Sequence, residues 1–185
     1  MVEGKKMKSN RKWDQQKGFK LSCLALAVQM ASGLAVAGPE GGTVTGGSGS
    51  ISNAGNTTTI TQQTDRMAID WQSYDVAANE RVQYIQPSSS SISLNRILSN
   101  RGSQIHGQID ANGQVFLINP HGIIFGEGAS VNVGGLLASG LNIRTDDFLN
   151  GEYALEGISG SEGTIVNHGL IDVALNDVMS PVSAT

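Results

Sequence analysis

Residues 103–143 read SQIHGQIDANGQVFLINPHGIIFGEGASVNVGGLLASGLNI, and the punctuation of this stretch decides the fold. Short apolar runs are cut again and again by Gly or Asn. Gln114–Ile118 is followed by Asn119–Gly122, Ile123–Phe125 by Gly126-Glu127-Gly128, and Val131-Asn132-Val133 by Gly134-Gly135. Helical periodicity is scarce here. The spacing predicts short strands joined by tight turns, in which Asn and Gly accept positive φ.

Working outward, two distant segments share the pattern G-[ST]-I-x-N-x-G: Gly49–Gly55 and Gly163–Gly169. A recurrent strand-turn unit is the mark of a stacked solenoid, in which each turn covers the apolar face of its neighbour. A β-sandwich is the competing all-β reading, although its strands usually run longer and alternate more cleanly. Between the two copies, Thr64–Gln86 differs from its surroundings, holding Trp71, Tyr74 and Tyr84 and no glycine. Alternation at Met67, Ile69, Trp71 and at Val82, Tyr84 predicts two strands, with a turn or short helix at Asp75–Glu80 and Trp71 in the core. Ser88–Ser91 is expected to form a polar loop after Pro87. The Gly/Ser-rich residues 38–50 read as a flexible lead or the first irregular turns.

Charge divides the chain in two. Seven of its 12 basic residues lie before residue 21, with only Glu3 and Asp14 opposing them. The remainder carries five arginines, no lysine and 14 acidic residues, a net −9. Such a balance argues against nucleic acid or anionic lipid as a partner. Leu21–Val36 is apolar and uncharged, shorter than the roughly 20 residues of a membrane span. With the basic segment before it and Ala35-Val36-Ala37 behind, it reads as a signal peptide covering residues 1–37, with cleavage after Ala37. No stable membrane span is expected. Cys23, the single cysteine, falls inside that peptide, so the exported remainder has no disulfide available. Its stability must come from core packing and backbone pairing.

The central residues carry a family resemblance. Asn95-Arg96, the run Ser103–Pro120, Gly122-Ile123 and the stretch Ala129–Ser139 resemble the N-terminal secretion domain of two-partner secretion exoproteins. This is the family of filamentous haemagglutinin and the high-molecular-weight adhesins. Ile69-Asp70-Trp71, Val82–Gln86 and Ile165–Ile171 extend the likeness, from about Gly42 to Val173. The long basic segment at the N-terminus matches the extended signal peptides common there. His121 departs from the usual N-P-N-G-I motif, though His tolerates left-handed or bridge backbone almost as Asn does. A second family motif, N-P-N-L, is absent.

The resemblance implies an all-β fold, a right-handed parallel β-helix with an N-terminal cap and short extra-helical β elements, spanning residues 38–176. Val115, Leu117, Ile123, Phe125, Val131 or Val133, Leu137 and Ile165 would face inward, with Gly and Asn at the corners. Asn119 and Asn167 would bond corner backbone or stack on polar neighbours. Residues 177–185 are expected to be an irregular tail of a truncated frame, because family members usually run much longer.

By the same resemblance, the domain is an address. POTRA domains of a partner outer-membrane transporter would capture it in the periplasm, and the protein would be secreted or displayed on the surface of a Gram-negative bacterium. Asn95, Arg96, Asn119, Pro120, His121, Gly122 and Ile123 are the candidate motif and recognition residues; for Asn119–Ile123 a purely structural turn is the equal alternative. Contact with a host cell surface or glycan would lie in downstream regions. A contact-dependent inhibition toxin and a haem-capturing exoprotein are the alternatives for the whole protein. An exported polysaccharide-active enzyme is the rival of another class. It needs converging carboxylates, whereas Asp146-Asp147 on a strand would point to opposite faces and Asp110, Asp172 and Asp177 fall in or beside turns. His106, His121 and His168 lack metal-ligand spacing. No catalytic residue, metal or cofactor is expected.

Overall fold

A computed structural model describes Met1 and residues 38–173 apart from 158, 161 and 162. Residues 2–37, where the signal peptide and its cleavage residues Ala35 and Ala37 are expected, and the expected tail 177–185 lie outside the described residues. Among the described residues, fourteen strands and one short helix follow in chain order. The N-terminal group is β1 (Thr43–Gly46), β2 (Gly49–Ala54), β3 (Thr57–Gln62) and β4 (Arg66–Trp71). Next come β5 (Arg81–Ile85), β6 (Ile92–Ile97) and β7 (Ser103–Ile105), then β8 (Gln108–Ala111), β9 (Gln114–Ile118) and β10 (Ile123–Phe125). The last turn holds β11 (Ser130–Val133), β12 (Gly135–Ser139), helix α1 (Thr145–Leu149) and β13 (Ile165–Asn167), with β14 (Leu170–Val173) beginning another.

These strands stack into a β-solenoid with three sheets as its walls: β1-β4-β6-β9-β12, β13-β10-β7 and β14-β11-β8-β5-β3-β2. Three complete turns run β5–β6–β7, β8–β9–β10 and β11–β12–β13, with every pairing between them parallel. Between the named strands, antiparallel pairing occurs at the N-terminal end, where β1 lies on β4 and β2 on β3; an isolated Asn142–Glu156 bridge is also antiparallel. These strands cap the first turn. The interior is a continuous apolar column including Ile60, Ile69, Trp71, Val82, Ile109, Val115, Leu117, Ile123, Phe125, Val131 and Val133. Both valines of Val131-Asn132-Val133 point inward, as period-2 alternation requires.

Several expectations need correction. The two G-[ST]-I-x-N-x-G segments are not equivalent: Gly49–Gly55 forms one arm of an antiparallel hairpin, whereas Gly163–Gly169 carries the parallel strand β13. The hairpin loop is Gly55-Asn56, and Gly55 adopts φ 57°. Residues 38–50 are no loose lead. Gly42 and Gly49 let the cap approach the core, since a Cβ would meet Trp71 Cζ3 at 2.5 Å and Met67 Sδ at 2.4 Å respectively. Asp75–Glu80 takes the turn form of the two expected there; within it Val76 bridges Ile105 of β7 and supplies the third wall of the turn begun by β3 and β4, ahead of the three complete ones. Leu137 faces outward, because it pairs with outward Phe116 while Leu136 and Ala138 line the core. Ile165, in the last described turn, remains 40% exposed. Asp146 and Asp147 sit in the first turn of α1 instead of on a strand.

Helix α1 explains why one outer face of the solenoid is apolar. Ala68, Leu94, Phe116 and Leu137 form an outward row across β4, β6, β9 and β12. Phe148 and Leu149 close over it, together with Ile143. Phe116 also meets Phe148 at 6.3 Å and Tyr153 at 5.6 Å between ring centroids, the latter edge-on. Replacing the fully buried Phe148 by Ala removes the centre of this second core. The expected cost is about 3–5 kcal/mol, read as a lower denaturant midpoint with the solenoid's β signal retained below it. A loss under about 1 kcal/mol would show that α1 is not a structural cover.

Candidate functional site

Asn95 lies in the middle of β6, in the sequence ISLNRI, and alternation turns it inward with Ser93. It is 0% exposed. Such a buried carboxamide is tolerable only if satisfied, and this one is. Its Oδ1 accepts from Trp71 Nε1 and Tyr84 Oη, each at 3.0 Å. Its Nδ2 donates to the carbonyls of Ser93 at 3.1 Å and Phe116 at 3.2 Å. Because Tyr84 donates to Asn95, Tyr74 donates to Tyr84 across 2.7 Å. Trp71 and Tyr74 pack edge to face at 5.6 Å. The network therefore joins β4, the 72–80 turn, β5, β6 and β9 through one side chain.

Arg96, the neighbouring residue, faces out. It pairs in register with Asp70 on β4, its guanidinium reaching Asp70 Oδ1 at 2.7 Å. The pair is partly exposed, so its main effect is to lock register between neighbouring turns; pairs of this kind contribute roughly 0–1 kcal/mol.

Asn119 begins the corner after β9 and is also fully buried. Its Oδ1 accepts the His121 N–H at 2.9 Å, forming an Asx turn, and its carbonyl accepts the Gly122 N–H at 2.9 Å. Its Nδ2 reaches back to the previous turn, to the Arg101 carbonyl at 3.2 Å and Ser103 Oγ at 3.0 Å. Gly122 has φ 97°, a region side chains rarely enter. The next turn comes so close that a Cβ on Gly163 would meet Gly122 N at 2.0 Å. Pro120 is half-buried, His121 exposed, and Gly122 and Ile123 buried. Of the seven candidate residues, only Arg96, Pro120 and His121 therefore offer side chains at the surface. Asn167 makes a similar Asx turn in the following turn, at the corner after β13, accepting from Gly169 N at 3.0 Å.

The two motif segments come together, although 24 residues separate Arg96 from Pro120. Both line a groove with Asp70, Ile97, Leu98 and Ile118. Sequence reasoning missed Tyr74, Tyr84 and Trp71 as partners of Asn95; the only local signal was an Asn on the inward phase of an apolar strand. It also missed Gln62 and Gln86. These form a buried ladder at another corner, Gln86 Nε2 donating to Gln62 Oε1 at 3.2 Å while Gly113 N donates to Gln86 Oε1 at 3.0 Å. Among the described residues, no group of three or more His, Cys, Asp or Glu is arranged to hold a metal ion.

Replacing Asn95 by Leu keeps the branch at Cγ but strands the Trp71 and Tyr84 donors in the core. The expected loss is about 2–4 kcal/mol, against about 0.5 or less for exposed His121→Ala, both measured by urea unfolding. A stability change in N95L no larger than in H121A would refute the network's structural role. Burial pushes both phenols above the ordinary value, and for Tyr84 the adjacent Tyr74 adds to it. The folded chain thus holds protons that the unfolded chain releases above about pH 10. Stability from this source is complete below that pH and falls above it; unfolding midpoints at about pH 9 and 11 test the sign.

Comparison with known proteins follows the same geometry. The family model for the TPS (two-partner secretion) secretion domain matches residues 35–177. The crystal structure of the HMW1 secretion domain from Haemophilus influenzae is 38% identical, with a TM-score of 0.69, over 72% of this chain and 36% of that one. A Heme/hemopexin-binding protein of Haemophilus influenzae is 43% identical over 101 residues, 55% of this chain. Another protein of that name from the same species is 43% identical over 81 residues, 44% of this chain. The chain spans only 11% and 9% of the length of those two relatives. Matched across three quarters of its length by the family model and sharing the solenoid of a solved member, the chain belongs to the TPS secretion domain family.

Proposed function

We propose that residues 38–176 are the export address of a larger surface or secreted exoprotein, recognised in the periplasm by POTRA domains of a partner outer-membrane transporter. The match to the secretion domain family across the described solenoid carries this reading. In it, Asn95, Asn119, Gly122 and Ile123 act through the fold. Asn95 ties together strands separated in sequence, Asn119 and Gly122 set the corner, and Ile123 fills the core. Arg96, Pro120 and His121 are the members of the motif available to a partner. Cleavage of residues 1–37 after Ala37 is part of the same proposal.

A second reading concerns the rest of the protein. The 43% identity with Heme/hemopexin-binding proteins favours haem or hemopexin capture over other adhesive roles, exercised by regions beyond this chain. Polysaccharide cleavage finds no support from the family, which is one of secretion domains.

The chain, produced in a Gram-negative host with and without its partner transporter, should reach the medium only when the transporter is present. Without it, processed protein should accumulate in the periplasm with Gly38 at its N-terminus. Equal release in both strains would sink the proposal.

A further inference from the structure

Three successive turns carry an apolar residue one or two positions past the end of the strand in the same wall. Arg96, Ile118 and Ser139 pair across β6, β9 and β12. Counting two residues on from each gives Leu98, Pro120 and Leu141. Leu98 is 66% exposed and Leu141 41%, while Pro120 is half-buried. Beside Leu98 and Pro120 opens a groove of roughly 250 Å³, floored by Ile97 and Ile118 and closed on one side by the Asp70–Arg96 pair. That volume suits one bulky side chain.

The neighbouring apolar row on this sheet is roofed by α1, whereas the Leu98–Pro120–Leu141 strip is not. Exposed apolar side chains beside such a groove mark a contact site. Charge narrows the occupant. Each of the five arginines after residue 37 is already engaged: Arg66 with Tyr153, Arg81 with Asp110, Arg96 with Asp70, Arg101 with Asp75, and Arg144 with Asp147. The charge left over is carboxylate, net −9 for this part of the chain. A second copy would bring the same negative charge. The fitting partner is basic around an apolar tip.

We propose that this strip and groove are the docking surface for the periplasmic region of the transporter, which seats one large apolar side chain between Leu98 and Pro120 within a basic rim. The inference rests on the two-partner reading above and gives it a location. It also assigns Leu98 and Leu141 to recognition, neither of which is among the seven candidate residues.

The test uses the full chain, co-produced with its transporter in a Gram-negative host. A photo-crosslinking amino acid at position 98 should attach the transporter; at position 85, where Ile85 is 48% exposed on another sheet, it should not. Leu98→Glu should lower export at least about tenfold, the effect of losing a central interface contact. Ile85→Glu should leave it within about twofold. Crosslinks from position 98 confined to this chain or a second copy would overturn the docking site, as would undiminished export of L98E, while transporter dependence of the wild type still stood. Wild-type export that ignores the transporter would overturn both.

Discussion

The carboxamide of Asn95 is the contact on which the rest depends. It sits where alternation demands an apolar side chain, in a column of Ile, Val, Leu and Phe. Its four polar partners, Trp71, Tyr84, Ser93 and Phe116, come from three neighbouring strands and its own. An apolar residue there would tolerate sliding of one turn over the next, since aliphatic packing is weakly directional. The Asn tolerates one register only, because any slip leaves buried donors without acceptors. A solenoid wall is otherwise prone to slippage, and a one-residue slip would turn every inward side chain outward.

Asn119 applies the same logic at a corner. Its side chain fixes the local turn through His121 and ties it to the previous turn through Arg101 and Ser103. Gly102, Gly122 and Gly163 follow one another at this corner, each without room for a side chain against a neighbouring turn's backbone. Corners so tight leave the polar backbone groups paired between turns, as with Ser103 N to Gly122 O at 3.0 Å and Ile123 N to Thr164 O at 3.1 Å. The motif is thus mostly an instruction for stacking, and its exposed remainder is small.

Much of this was legible in the sequence, for a physical reason. Corners need Gly and Asn, and inward positions need apolar side chains, so Val115, Leu117, Ile123 and Phe125 announce themselves locally. What was not legible depends on partners distant in the chain. Gly49–Ala54 and Ile165–Asn167 look alike, yet one pairs antiparallel and the other parallel, because a cap and a rung differ only in what lies beside them. Leu136, Leu137 and Ala138 are all apolar, so alternation alone could not say which faced the core. That choice is made by α1, five residues whose Phe148 has no meaning until the outward row of Ala68, Leu94 and Phe116 exists. Asn95 read as a motif residue; its burial among aromatic side chains appears only once β4, β5 and β6 stack.

The pattern of satisfied groups bears on how such a chain can be exported and still fold. Without cysteine after residue 23, no covalent link can hold an intermediate. The Asn95 network requires β4, β5, β6 and β9, residues spread from 66 to 118, before its polar atoms are all paired. A chain presenting fewer than these turns holds unsatisfied polar groups in any attempted core and gains little by compacting. Once they are together, each further turn adds apolar burial and parallel pairing to a template already in register. Folding is therefore a threshold event near the N-terminal end followed by incremental growth.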